Sequence, residues 1–380
     1  MRARDLLDDV LGLLRPGLRG LARRGYFAPQ PPHAPGSVWV VGCAWIGDCL
    51  WAAQVLPALR ARWPAARLVA VTRPGAQALW SEADEVRCVR HVIADRRRER
   101  SWPPGLVAEA LAGSRCRPGL VLDLTGNRYS ALFTWLLRPG WALGIGDHEL
   151  GGLYSRRVAL PPGLHLAERP WRALASLLGP PPDPLPHRLP PLPDAQAARR
   201  AHGLDPAAPL ALLAPGAGWA GKQWPVERLA ELARRLEDEE GLSVVATGAG
   251  GDRALCEAAL ARTRAGRLLL DAPLEALAAI ASSARLFVGM DSGPTHLAAA
   301  AGAPVLALFS PTNPAILRPL GPRVRVLRAG CAARPEGRAH HCHDQPAWPC
   351  PVSCWDPLPV EPVWEAAQEL LRSLFTPPGA

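Results

Sequence analysis

Lysine is nearly missing from this chain of 380 residues: of 43 lysine and arginine positions only Lys222 is a lysine. Asparagine occurs only at Asn127 and Asn313, and Tyr (3) and Phe (5) are outnumbered by Trp (14). A GC-rich genome that avoids AT-rich codons produces this bias, so a retained lysine needs a chemical reason. Long apolar runs are missing too. The longest, Leu297 to Phe309, has 13 residues and contains Gly302 and Pro304, too short and too broken to span a bilayer. The apolar stretch Leu6 to Leu14 is interrupted by Asp8 and Asp9 and is followed by no small-residue cleavage site, so a signal peptide is not expected. Nine cysteines form no paired framework, with Cys43, Cys49, Cys88, Cys116 and Cys256 scattered, which fits a reducing cytoplasm.

What is present is a globular composition. Hydrophobic residues make up 48% of the chain, which excludes bulk disorder despite 35 glycines and 43 prolines. The length predicts two domains. A formal charge of +9 favours an anionic partner: a phosphate-bearing small molecule, nucleic acid or an acidic membrane surface.

Residues 1–36 read as a basic amphipathic extension, with Leu6, Leu7, Val10, Leu11 and Leu14 at helical spacing, packed on the body or lying on a membrane surface. From Ser37 strands and helices alternate: strands at Val38–Val41, Leu68–Thr72 and Leu120–Leu124, helices at Asp48–Arg62 and Asn127–Leu137. Eight prolines between Pro180 and Pro193 mark a linker, set at residues 180–194. The alternation restarts with strands at Leu210–Ala214, Ser243–Thr247, Leu286–Gly289 and Val305–Phe309, and helices at Val226–Glu239, Asp252–Arg262 and Thr295–Ala301. A last helix is expected over Val360–Phe375. The fold class is therefore α/β, two Rossmann-like domains at residues 37–179 and 195–330, with a Cys- and Pro-rich segment and final helix at 331–380. Open sheets of this kind bind ligands at the carboxyl ends of their strands.

Three strand-to-helix junctions carry chemistry. Pro215 to Pro225 is glycine-rich at Gly216, Gly218 and Gly221 and contains Lys222; such a turn brings backbone N–H groups to a phosphate. Gly216 to Lys222 matches the start of a P-loop, but Gln223 stands where Ser or Thr binds Mg²⁺ and Pro225 would disturb a helix running from the lysine, which counts against an NTPase. Gly289 to His296 places Asp291, Ser292, Gly293, Thr295 and His296 around a helix start, fitting an N-cap, an anion site or both. Gly42 to Asp48 closes the first strand and lacks the dinucleotide spacing G-x-G-x-x-G. Asp48 there is a helix cap or a general base.

Taken in order, these motifs resemble the heptosyltransferase family of glycosyltransferases, family 9, from about Val38 to Phe375. The resemblance rests on Val38 to Asp48, Asp123-Leu124-Thr125-Gly126, the Pro-Gly-x₅-Lys-x-Trp-Pro run of Pro215 to Pro225, Asp291 to Ala298, and Phe309 to Pro314. It implies a GT-B architecture, two Rossmann-like domains facing a central cleft, with the acceptor on the first, the nucleotide sugar on the second and the final helix packing back across. It further implies inverting transfer of heptose from ADP-heptose to the lipopolysaccharide inner core, with no obligatory metal or cofactor, by a cytoplasmic enzyme peripheral to the inner membrane, acting on a lipid-linked saccharide and not on nucleic acid. Asp48 falls on the family's base. Lys222 and the N–H groups of Ser292, Gly293 and Thr295 would stabilise the leaving diphosphate. Gly216, Gly218, Asp252, Asp291 and His296 complete the donor set, and Gly47 and Arg128 the acceptor set.

Departures are Gln54, where the family often has Pro, and Ser310, where it has Gly. The arginines 87, 90, 96, 97, 98 and 100 form a basic run that reads as a solvated loop or an anionic-acceptor contact. Cys331, Cys342, Cys350 and Cys354, near three histidines, are zinc candidates without the paired spacing of a zinc ribbon. A nucleotide-sugar epimerase and a non-catalytic nucleotide-sugar-binding protein of the same architecture are the competing readings.

Overall fold

The computed structural model describes residues 30–89, 104–146, 148, 150–330 and 354–373. The chain divides into two compact units that meet in sequence at Pro186 and His187, inside the proline-rich stretch.

The first unit is built on six strands: β1 (Ser37–Gly42), β2 (Arg67–Thr72), β3 (Glu85–Cys88), β4 (Leu120–Asp123), β5 (Trp141–Ile145) and β6 (Arg156–Val158). All pair in parallel, in the order β3-β2-β1-β4-β5-β6. Val38, Trp39, Val40 and Val41 are buried on both sides of β1, as expected of a strand covered by helices on both faces. Its helices are α1 (Ile46–Ala53), α2 (Leu56–Arg62), α3 (Pro104–Ser114), α4 (Arg128–Leu136) and α5 (Glu168–Leu178).

The single helix expected over Asp48–Arg62 is thus two. Pro57 lies in the first turn of α2, where its missing N–H costs nothing, but it cannot continue the ladder from α1. Gln54 closes α1 and donates its side-chain amide to Leu50 O at 3.1 Å.

In the second unit α6 (Ala195–Ala201) precedes β7 (Leu210–Ala214), α7 (Val226–Asp238), β8 (Ser243–Gly248), α8 (Arg253–Ala259) and β9 (Arg267–Leu270). There follow α9 (Leu274–Ser282), β10 (Leu286–Met290), α10 (Gly293–Ala300), β11 (Val305–Phe309), α11 (Pro314–Leu317), β12 (Val324–Arg328) and α12 (Val360–Ser373). The strand order β12-β11-β10-β7-β8-β9 repeats that of the first sheet with all pairs parallel. Both sheets therefore have the strand order of a Rossmann fold, with a topological switch point between β1 and β4 and another between β7 and β10.

The final helix buries Val363, Trp364, Ala367 and Leu371, one stripe of α12, in the second unit's own core with Trp224, Leu229, Met290 and Leu308. Residues 1–29, five of the six basic-run arginines (all but Arg87), and the zinc candidates Cys331, Cys342 and Cys350 lie outside the described residues. Arg87 is described and is not in a loop. It sits on β3, with its guanidinium 4.7 Å from the Trp39 ring centroid and its Nε 2.5 Å from Glu85 Oε1.

Candidate active site

At the switch point of the second sheet, β7 ends at Ala214 and β10 at Met290, and the loops that follow bring Lys222 and Asp291 together. Lys222 Nζ lies 2.6 Å from Asp291 Oδ2, with the two side chains 15% and 7% exposed. Burial raises the Asp291 pKa, but the His296 imidazole and the Lys222 ammonium outweigh it and hold the carboxyl well below the usual range. His296 Nε2 is 3.9 Å from Asp291 Oδ1, an electrostatic contact too long for a hydrogen bond. An ammonium has three donors and Asp291 takes one, so the pair, neutral in sum, still presents oriented N–H donors.

Ser292 holds the N-cap position of α10 without a side-chain cap bond, and Pro294 lies in the first turn. The Thr295 hydroxyl donates to Met290 O at 2.6 Å and lies 3.2 Å from Ser292 Oγ, tying the helix start to the strand end. The Thr295 N–H is engaged by Ser292 O at 3.2 Å, so of the three backbone donors expected to meet an anion, Thr295 already has an acceptor. Ser292 and Gly293 stand at positions where helices leave N–H groups without intrahelical partners.

The Lys222 loop is held from behind. Trp355 Nε1 donates to Gly221 O at 3.1 Å, Trp224 Nε1 to Leu358 O at 2.9 Å, and Arg228 to Trp355 O at 2.6 Å and Leu358 O at 2.9 Å. Ser310, the departure noted in the sequence, donates its hydroxyl to Cys354 O at 2.9 Å. Cys354 is thus a buried thiol in a segment bolted to the loop. Among the described residues no group of three or more His, Cys, Asp or Glu is placed to hold a metal.

Asp252 meets the same edge. Its Oδ2 accepts the Ala249 N–H at 3.0 Å, and a Cβ on Gly216 would stand 3.1 Å from that oxygen, so glycine lets the two loops approach. Gly218 has nothing within 4 Å of an added Cβ, so packing does not require glycine there.

The switch point of the first sheet carries Asp48 after β1. It occupies the third position of α1, where Oδ2 accepts the Trp45 N–H at 3.1 Å, with Gly47 buried beside it. Both readings of this residue survive: the carboxylate caps the helix, and it is partly exposed at the carboxyl edge where a ligand would sit. Arg128 opens α4 behind the Asn127 cap, with Nη2 3.1 Å from Tyr129 Oη.

Sequence reading gave Asp123 no role, and it is the buried keystone beneath this edge. Its Oδ1 accepts the N–H groups of Thr125 and Gly126 at 3.0 and 3.2 Å, and its Oδ2 accepts the Tyr154 hydroxyl at 2.6 Å. Gly126 has φ +70° and a Cβ there would lie 2.8 Å from Ile145 O, so this turn needs glycine. Burial pushes the Asp123 carboxyl up to about 6 against the pull of these donors. The Asp-Leu-Thr-Gly run, with a carboxylate before a glycine turn, was the signal that could have identified it.

The description "Glycosyltransferase family 9 (heptosyltransferase)" matches residues 115–345. Lipopolysaccharide heptosyltransferase 1 of Pseudomonas aeruginosa is 33% identical over 219 residues, 51% of this chain and 55% of that protein. The chain thus matches about half the length of that curated relative. The solved structure of E. coli ADP-heptose lipopolysaccharide heptosyltransferase II superposes with a TM-score of 0.71 at 23% identity, covering 90% of this chain and 100% of that one. An E. coli heptosyltransferase solved with ADP gives a TM-score of 0.63 at 22% identity, over 88% and 99% of the two chains. These likenesses establish the expected fold class, α/β with two Rossmann-like domains of the GT-B kind. With the family description spanning more than half of its length, the chain belongs to glycosyltransferase family 9, the heptosyltransferases.

Proposed function

We propose that this protein is an inverting glycosyltransferase that moves heptose from ADP-heptose to a saccharide of the lipopolysaccharide inner core. The observation that carries the reading is the partly buried Lys222–Asp291 pair at the β7/β10 switch point, 2.6 Å apart, next to the first turn of α10. A nucleoside diphosphate leaving group gains negative charge as the glycosidic bond breaks, and a preorganised ammonium with first-turn N–H donors stabilises that charge without a metal. Residues 195–330 bind the donor in this account. Gly216 and Gly218 let the backbone approach the diphosphate, while Asp252, in the turn between β8 and α8, meets ribose hydroxyls.

Residues 37–179 bind the acceptor, near Gly47 and Arg128. Asp48 takes the proton from the attacking hydroxyl as that oxygen forms its bond to the anomeric carbon from the face opposite the diphosphate, which inverts the centre. His296, buried beside Asp291, orients sugar or phosphate oxygens of the donor. The acceptor is lipid-linked, so the enzyme works at the cytoplasmic face of the inner membrane. No helix among the described residues is long and apolar enough to cross it.

The test is a donor screen: pure protein with ADP-heptose or other nucleotide sugars and truncated lipopolysaccharide acceptors, read by mass spectrometry of the acceptor. Transfer from ADP-heptose is expected. Transfer only from another nucleotide sugar would reject heptose and keep the reaction class.

A further inference from the structure

Beside Asp48 the first domain carries a feature that the transfer chemistry leaves unused. Trp45, the residue that caps α1, is 53% exposed, whereas Trp39, Trp51, Trp80 and Trp224 are fully buried. Its backbone N–H is the one that donates to Asp48, so the two residues stand within one helical turn of each other. Arg73, the first residue after β2, brings its guanidinium to 5.7 Å from the indole centroid. Strands β1 and β2 are hydrogen-bonded neighbours, and Trp45 and Arg73 follow their adjacent carboxyl ends.

The base of this pair is rigid. The buried Cys49 thiol donates to Gly42 O at 3.2 Å, and the Thr72 hydroxyl donates to the same carbonyl at 3.1 Å, knitting α1 to both strand ends. Half of a large apolar ring is therefore kept in water at a fixed place, with a cation against it. An aromatic face packs against the C–H face of a pyranose, and a guanidinium pairs bidentately with a carboxylate or phosphate.

We propose that Trp45 and Arg73 form a platform for an acidic saccharide, which holds the acceptor ring beside Asp48. Its purpose rests on the transferase reading; its geometry does not. The ring stacks on the indole, and the carboxylate or phosphate of the same or the next sugar pairs with Arg73.

Two measurements on the full chain test it. Saturation-transfer NMR with glucose, glucuronate and glucose 6-phosphate, without donor, should detect binding of one or both acidic probes, and which of the two binds tells a carboxylate from a phosphate site. Trp45→Ala should weaken that binding at least tenfold and Trp45→Phe by less. Arg73→Gln should remove the preference over glucose. In the transfer assay the same variants should raise acceptor KM at least tenfold and leave donor KM within twofold of wild type.

Wild-type acceptor KM in both Trp45→Ala and Arg73→Gln would overturn the platform while the transferase reading stands. Trp45-dependent binding of an acidic sugar by a protein that transfers nothing would do the reverse. No binding of either acidic probe by the wild type would also overturn the platform.

Discussion

Lys222 is one lysine in a chain that uses arginine elsewhere, and its ammonium lies 2.6 Å from a carboxylate that is 7% exposed. A planar guanidinium has a different reach and donor geometry, so charge alone does not replace it there. Lys222→Arg is expected to lower kcat by about 10²-fold, the scale of losing one preorganised donor, with the protein still folded. Wild-type kinetics in that variant would remove lysine from the mechanism. Asp48→Asn separates the two roles of its residue. The amide oxygen can still accept the Trp45 N–H, so the thermal midpoint should stay close to wild type, while loss of the base should cut turnover by about 10²- to 10⁴-fold with ADP binding unchanged. Both stand out as candidates in the sequence because each lies in or just after a short glycine-containing turn that follows a strand. Asp123 shows there only as the carboxylate of a glycine-turn run, and the role of Trp45 has no signal. Burial of the first and exposure of the second depend on what the rest of the fold packs around them.

The helices and strands divide in the same way. Central strands such as β1, β7, β10 and β11 are unbroken apolar runs, since both faces are covered, and the sequence shows them directly. The edge strands β6, Arg156–Val158, and β12, Val324–Arg328, are half arginine and take their conformation from pairing with β5 and β11. The Cys354–Leu358 segment drew notice in sequence only for a zinc-candidate cysteine, yet its hydrogen bonds to Gly221, Trp224, Arg228 and Ser310 hold the lysine loop. Trp355→Phe keeps the ring and deletes the N–H bonded to Gly221 O. Donor KM should rise several-fold, with a stability cost of about 1 kcal/mol. Calorimetry and donor titration check both, and an unchanged KM would make the clamp purely structural.

For the molecule as a whole, two Rossmann-like sheets in tandem were legible from strand-helix alternation and the proline run, and identical strand orders place both candidate half-sites at switch points. Global stability should carry the signature of Asp123, whose folded pKa of about 6 lies above its ordinary value of 3.8. The folded chain then holds a proton that the unfolded chain releases, so this group's contribution is fully present below pH 3.8 and is lost as pH rises through about 6, by about 3 kcal/mol in all. Asp291, with its pKa depressed, acts in the opposite sense: its contribution is present above the ordinary carboxylate pKa and is lost only as pH falls below it. Urea unfolding at pH 4.5 and 7.5 should therefore show a difference between wild type and Asp123→Asn that changes with pH, and a constant difference would exclude an elevated Asp123 pKa. The formal charge of +9 adds a dependence on salt, with acceptor KM rising between low and physiological ionic strength.

The central claim is that this pair of half-sites transfers a sugar. Its most direct test is to incubate the protein with ADP-heptose and a truncated inner-core acceptor and to follow ADP release and acceptor mass together. One heptose added per ADP released, abolished by Asp48→Asn, is the predicted result. ADP release without a glycosylated acceptor, or no turnover with any nucleotide sugar, would contradict it.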